Sequence, residues 1–124
     1  MRFFFALLVL PVLASAPAAA EENGERLFTP CRACHSLDPT DQGLPGPNLA
    51  GLTGRKVGGD AAFDYSPVLR KAHDDGQRWD VRRLETFLAD PADMFPGLWM
   101  SIRGIEDAAE RRALVHFLAD PLSR

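Results

Sequence analysis

The sequence predicts a small all-α domain with long loops, folded around something larger than its own side chains. Three observations lead there. Four stretches carry apolar residues at helical spacing. No stretch sustains the alternation of a strand. Leu, Ile, Val and Phe make up only about a fifth of the residues after Ala20, close to the level below which chains tend toward disorder. At 124 residues the chain is a single domain. A domain of this size buries a modest share of its surface, so a core this thin needs help. The length excludes a multidomain enzyme, and the pattern excludes a coiled coil and a polytopic membrane protein. Two cysteines are too few for a disulfide framework or an all-cysteine zinc site.

Met1–Ala20 reads as an export signal. Arg2 is its positive start, Phe3–Leu13 its apolar stretch, and Ala18-Ala19-Ala20 its cleavage site ahead of Glu21-Glu22. Cleavage leaves residues 21–124 as the mature domain in the periplasm or an equivalent exported space. The alternative is that the segment is kept as an anchor, for which its apolar length is near the lower limit. Without the signal, no stable membrane insertion is expected. The formal charge of −3 becomes more negative when Arg2 leaves, which excludes a nucleic-acid-binding role that needs a basic stripe.

The first mature helix is expected over Glu22–Cys34, with Leu27 and Phe28 on one side. Ser36 to Asp64 reads as loop, broken by Pro39, Gly43, Pro45, Gly46, Pro47, Gly51, Gly54, Gly58 and Gly59. So long a loop is acceptable only if it wraps a large rigid object. Ser66-Pro67 reads as an N-cap and first-turn proline for a short helix ending near His73, with Gly76 beyond. Asp80 caps a helix through about Ala89, stopped by Pro91, with Leu84, Phe87 and Leu88 on one face. Asp107 and Glu110 form a cap pair for a last helix whose Leu114, Phe117 and Leu118 share a face.

The chemistry lies in Cys31-Arg32-Ala33-Cys34-His35, a C-x-x-C-H sequence. This is the attachment signature of c-type haem. On a helical turn, positions i, i+3 and i+4 face one way. Cys31 and Cys34 can then form thioethers with one porphyrin edge, and His35 projects toward the iron from the same side. A redox disulfide would need a βαβ context absent here, and a zinc site would need further ligands at matching spacing. For a sixth iron ligand the candidates are Met94, Met100, His73 and His116. His116 falls off the apolar face of its helix. His73 ends a short helix beside Asp74 and Asp75, where the helix dipole favours it. Methionine is often core filler, but Met100 follows Pro96-Gly97-Leu98-Trp99, a turn that can lay a side chain against a flat ring.

From about residue 24 to 119 the chain resembles the class I c-type cytochromes of the mitochondrial type and their bacterial periplasmic counterparts. The resemblance rests on the C-x-x-C-H motif and on Gly24 and Phe28 set against Leu114 and Phe117. It also rests on Gly46-Pro47-Asn48-Leu49, Gly54-Arg55-Lys56, Phe63-Asp64-Tyr65-Ser66, Trp79 and the segment Pro91 to Met100. It implies a cytochrome c fold around one covalent haem c. It makes Met100 the axial ligand with His35 and gives Met94 a packing role. The Pro47 carbonyl would accept the imidazole N–H of His35, as partners that orient metal-bound histidines do. Tyr65 and Trp79 would donate to a buried haem propionate, with Arg55 nearby for charge. Phe87 stands where many relatives have a tyrosine near the methionine, which removes a possible hydrogen bond to sulfur.

The implied function is one-electron transfer between redox protein partners, not enzymatic catalysis, since no residue is needed as acid, base or nucleophile. His/Met ligation favours a raised reduction potential. Two rival readings are a haem subunit of a periplasmic dehydrogenase complex and a gas-binding sensor haem with a labile Met100. The family commonly rings its haem edge with lysines. Here Pro30, Gln42, Leu44, Ala92, Asp93, Trp99, Glu106 and Asp107 take those places, and only Arg32 and Arg103 keep positive charge close by. Trp99 either folds over the haem edge as a lid or stands out as an aromatic anchor.

Overall fold

Proline decides where the first helix ends. In the computed structural model, which describes residues 16–119, α1 spans Ala16–Phe28 and a 3-10 segment follows over Thr29–Ala33. The expected single helix to Cys34 is therefore corrected. Pro30 has no N–H to bond one turn back, and its ring crowds the preceding carbonyl, so the chain tightens instead of continuing as α-helix. The expected export signal lies outside the described residues up to position 15. Helix α1 begins at Ala16, within that segment.

Three other helices follow the expected order. Helix α2 (Pro67–Asp74) begins with its proline in the first turn. In α3 (Val81–Ala89) the Asp80 side chain accepts the Arg83 N–H, and Leu84, Phe87 and Leu88 are buried on one face. Pro91 ends that helix and also opens a short α4 (Pro91–Met94), capped by Asp90. Helix α5 (Ala108–Ala119) is capped at Asp107, whose carboxylate takes the Glu110 N–H at 2.9 Å. Among the described residues strand pairing amounts to one isolated antiparallel bridge between Lys56 and Arg78.

Helices α1 and α5 cross at Gly24. A Cβ on Gly24 would lie 2.6 Å from both the Ala113 carbonyl and Phe117 Cβ, so glycine is what lets the helices approach. One turn on, the Phe28 and Phe117 rings pack at 5.8 Å, and both are 1% exposed. Burying each ring contributes about 2 kcal/mol relative to leaving it in water. Leu84 and Leu88 of α3 and Leu114 and Leu118 of α5 complete this side of the core. Within the same core, Trp79 meets Phe87 and Phe95 edge-on at 5.2 and 6.1 Å, and the two phenylalanine rings are tilted at 6.1 Å.

The long loop has an internal scaffold. Asn48 is buried and donates through Nδ2 to the Asp38 and Asp41 carbonyls, while its Oδ1 accepts the Ala50 N–H. Its own N–H goes to the Asp60 carboxylate at 2.9 Å. One residue, through three side-chain bonds and its own amide, thus ties together four points of a segment with no helix or sheet of its own, satisfying backbone groups that would otherwise be stranded.

Candidate haem-binding site

The side chains predicted to carry chemistry surround one cavity of about 400 Å³. Its size lies within the range of small-molecule and cofactor sites. Cys31, Cys34, His35, Pro47, Arg55, Tyr65, Trp79 and Met100 all line it. Most of the remaining wall is apolar, with Phe28, Leu52, Leu84, Phe87, Leu88, Leu98 and Leu114 among its residues.

The turn that follows Pro30 sets the motif. The Cys34 and His35 amides both donate to the Cys31 carbonyl, at 3.1 and 2.9 Å. That closes one turn and brings positions i, i+3 and i+4 to the same wall. Cys34 is exposed and Cys31 half-buried, so the two sulfurs stand at the edge of the cavity. Burial, and then the neighbouring Cys34, push the free Cys31 thiol up. In a thioether neither sulfur titrates.

His35 is buried, with Nδ1 2.7 Å from the Pro47 carbonyl oxygen. A carbonyl can only accept, so Nδ1 carries the proton and Nε2 keeps a free lone pair. Gly46 makes this clasp possible. A Cβ there would sit 2.6 Å from His35 Cε1 and 2.9 Å from the Cys34 carbonyl, which itself accepts the Gly46 N–H.

Arg55 and Trp79 are placed by backbone pairing. The Trp79 N–H donates to the Arg55 carbonyl at 2.9 Å, and the Gly54 N–H returns to the Trp79 carbonyl at 2.7 Å. The Arg55 guanidinium donates to the Ala50 and Asn48 carbonyls, yet its Nε is buried with no partner. The Tyr65 phenol oxygen accepts the Asp60 N–H at 2.9 Å, which leaves its own O–H to donate. Burial pushes the Tyr65 phenol up, partly offset by the Asp60 amide and the Arg55 charge. It therefore remains a donor at neutral pH.

Ser66 departs from expectation. It occupies the N-cap position of α2, but its side chain makes no capping bond. Its carbonyl takes the Leu69 and Arg70 amides instead. Its hydroxyl is buried at the cavity wall without a partner. A serine before a proline is the ordinary signature of a cap, so nothing local in the sequence marks the alternative. Ser66 and Arg55 both line the cavity and each carries one buried polar atom without a partner, a costly arrangement unless a polar group of a ligand comes within reach. A large apolar ring bearing a carboxylate fits that requirement.

Of the four sixth-ligand candidates, Met100 lines the cavity and Met94, His73 and His116 do not. Met94 packs against the core. His116 is exposed, and His73 lies beside Asp74 at 3.5 Å. The turn before Met100 is closed by the Leu98 N–H on the Phe95 carbonyl at 3.0 Å. Trp99 is 60% exposed, so it is not folded over the cavity as a lid.

No family profile matches the chain. Individual relatives do. Cytochrome c2 of Agrobacterium tumefaciens is 36% identical over 96 residues, covering 77% of this chain and 86% of that protein. The structure of cytochrome cH from Methylobacterium extorquens superposes with a TM-score of 0.70 at 35% identity, over 79% of this chain and 95% of that one. Ferricytochrome c2 from Rhodopseudomonas palustris gives 0.68 at 30% identity, over 80% and 96%. Shared sequence across most of both chains and a shared fold place this protein among the class I c-type cytochromes, electron-transfer proteins with one covalent haem c, held here through Cys31 and Cys34.

Proposed function

We propose that the protein is an exported, periplasmic one-electron carrier whose iron is held between His35 and Met100. The observation that carries this reading is that Met100, alone of the four candidates, shares the cavity wall with His35. The haem supplies an iron that alternates between ferrous and ferric states. The protein's part is to fix its surroundings. Pro47 orients the His35 ring, so Nε2 would be free to bind the iron with little reorganisation. Tyr65, Trp79, Ser66 and Arg55 are the residues that would hold a haem carboxylate, which would otherwise be costly to desolvate. Phe87, Leu84 and Leu98 line the same cavity as Met100 and would keep its interior apolar. With His35 and Met100 both committed to the iron, no position would be left for a gas or peroxide, which favours electron transfer over sensing. Export rests on Met1–Ala20 acting as a signal removed after Ala20.

The test is ligand access to ferrous holoprotein. Met100→Ala should bind carbon monoxide at least tenfold faster than wild type, whereas Met94→Leu should match wild type. Rapid binding by wild type, or by Met94→Leu alone, would reject the ligand assignment.

A further inference from the structure

We propose that the lip of the haem cavity is an uncharged docking face, anchored by Trp99 and Ile102. Its occupant is a redox protein whose own cofactor edge opens through an apolar, uncharged patch. The proposal rests on the electron-carrier reading and specifies its partner.

The exposed residues that line the cavity are Pro30, Cys34, Pro45, Trp99, Ser101 and Ile102. None carries a charge once Cys34 is a thioether. Scattered exposed apolar side chains need no explanation, but Trp99 at 60% and Ile102 at 45% stand on the same lip. Leu98 and Met100 on either side of Trp99 are half-buried, so the chain turns this one ring outward between two inward neighbours. Contiguous apolar surface at the mouth of a site marks an interaction surface.

The position of the lip limits the occupant. An electron must cross between cofactors, so a partner has to cover the mouth of the cavity, and the lip is what it touches. Charge limits the occupant further. The chain is acidic overall, with a formal charge of −3, so an acidic partner is repelled at long range. Among the described residues no exposed cation lines the cavity. Arg103, next to Ile102, is exposed but lies outside the cavity wall, and Arg32 lies over the Phe28 ring at 5.1 Å and pairs with Glu25 at 3.8 Å. Affinity must then come from desolvating Trp99 and Ile102 against apolar surface, and tryptophan is the residue type most often dominant in such contacts. Two copies of this acidic chain gain nothing from charge, which favours a different protein over self-association.

The probe is a blue copper protein whose copper edge opens at an uncharged apolar patch. In the productive direction one electron leaves iron(II), giving iron(III), and reduces copper(II) to copper(I), with no proton moved. Binding is read separately, with both proteins reduced, by NMR titration of labelled holoprotein. The two indole N–H signals serve as reporter and control. Trp99 should shift, and Trp79, 8% exposed, should not. The dissociation constant should change less than about twofold between about 0.01 and about 0.5 M salt. Trp99→Ser and Ile102→Ser should each weaken binding at least about fivefold, and Trp99→Phe should recover most of the loss. The proposal is overturned by a fall in affinity beyond about tenfold with salt, or by serine variants that bind like wild type. It is equally overturned if the Trp99 signal moves when the protein alone is concentrated, the mark of a second copy. Oxidation of wild type by hexacyanoferrate(III) separates the two levels. If it fails, the carrier reading falls. If it succeeds while the titration fails, only the docking face falls.

Discussion

A single hydroxyl illustrates how this chain uses polar groups inside an apolar cavity. The Tyr65 oxygen accepts the Asp60 amide and keeps its proton to give away. Burial is the main reason its phenol is pushed up. A tyrosine whose folded value lies above its unfolded value stabilises the fold fully below the unfolded value, about 10. That contribution is lost as pH rises through the folded value. Wild-type holoprotein should therefore lose more stability between about pH 8 and about pH 11 than Tyr65→Phe does. Urea midpoints at the two pH values measure the difference. At neutral pH the same variant should be about 1 kcal/mol less stable, through the loss of one buried hydrogen bond. Cys31, Cys34 and His35 were legible from their own motif, and Tyr65 as a cavity residue only through the family resemblance of Phe63-Asp64-Tyr65-Ser66. Ser66 was not, because a cap and a buried cavity hydroxyl look identical as Ser-Pro.

At the scale of elements, the crossing of α1 and α5 depends on one missing side chain. Gly24→Val places a Cβ 2.6 Å from Phe117 Cβ and the Ala113 carbonyl, and the backbone partner cannot move aside cheaply. The helices must separate, which breaks the Phe28–Phe117 contact. We expect a loss of about 3 kcal/mol or more, read as a lowered urea midpoint. Gly24→Ala should fall between Val and wild type. The crossing was legible through the family resemblance, which sets Gly24 and Phe28 against Leu114 and Phe117, and not from helical spacing alone. The 3-10 segment and α4 were less so. Pro30 ends α-helical bonding well before Cys34, and Pro91 both stops α3 and starts α4. Proline marks a boundary clearly, but it does not say which conformation lies beyond it. The loop between Ser36 and Asp64 was legible as loop. Its dependence on Asn48 was not, because a hub of side-chain bonds has no periodicity to detect.

The whole molecule is organised around a cavity rather than around packed side chains. Phe28, Leu52, Leu84, Leu88 and Leu114 all face it, so a large part of the core closes only on what fills the space. Cys31→Ser combined with Cys34→Ser should therefore give haem-free protein with little fixed tertiary structure, visible as weak near-ultraviolet dichroism and loss of a cooperative thermal transition. A cooperative, fully helical protein without haem would contradict this. The same cavity has a consequence for abundance. A chain that lacks its porphyrin exposes backbone to proteases, and degradation follows the population of open molecules. Copies per cell should then follow the supply of haem and of the attachment machinery rather than transcript level. A cell starved of haem would clear this protein by turnover, with no dedicated regulator required.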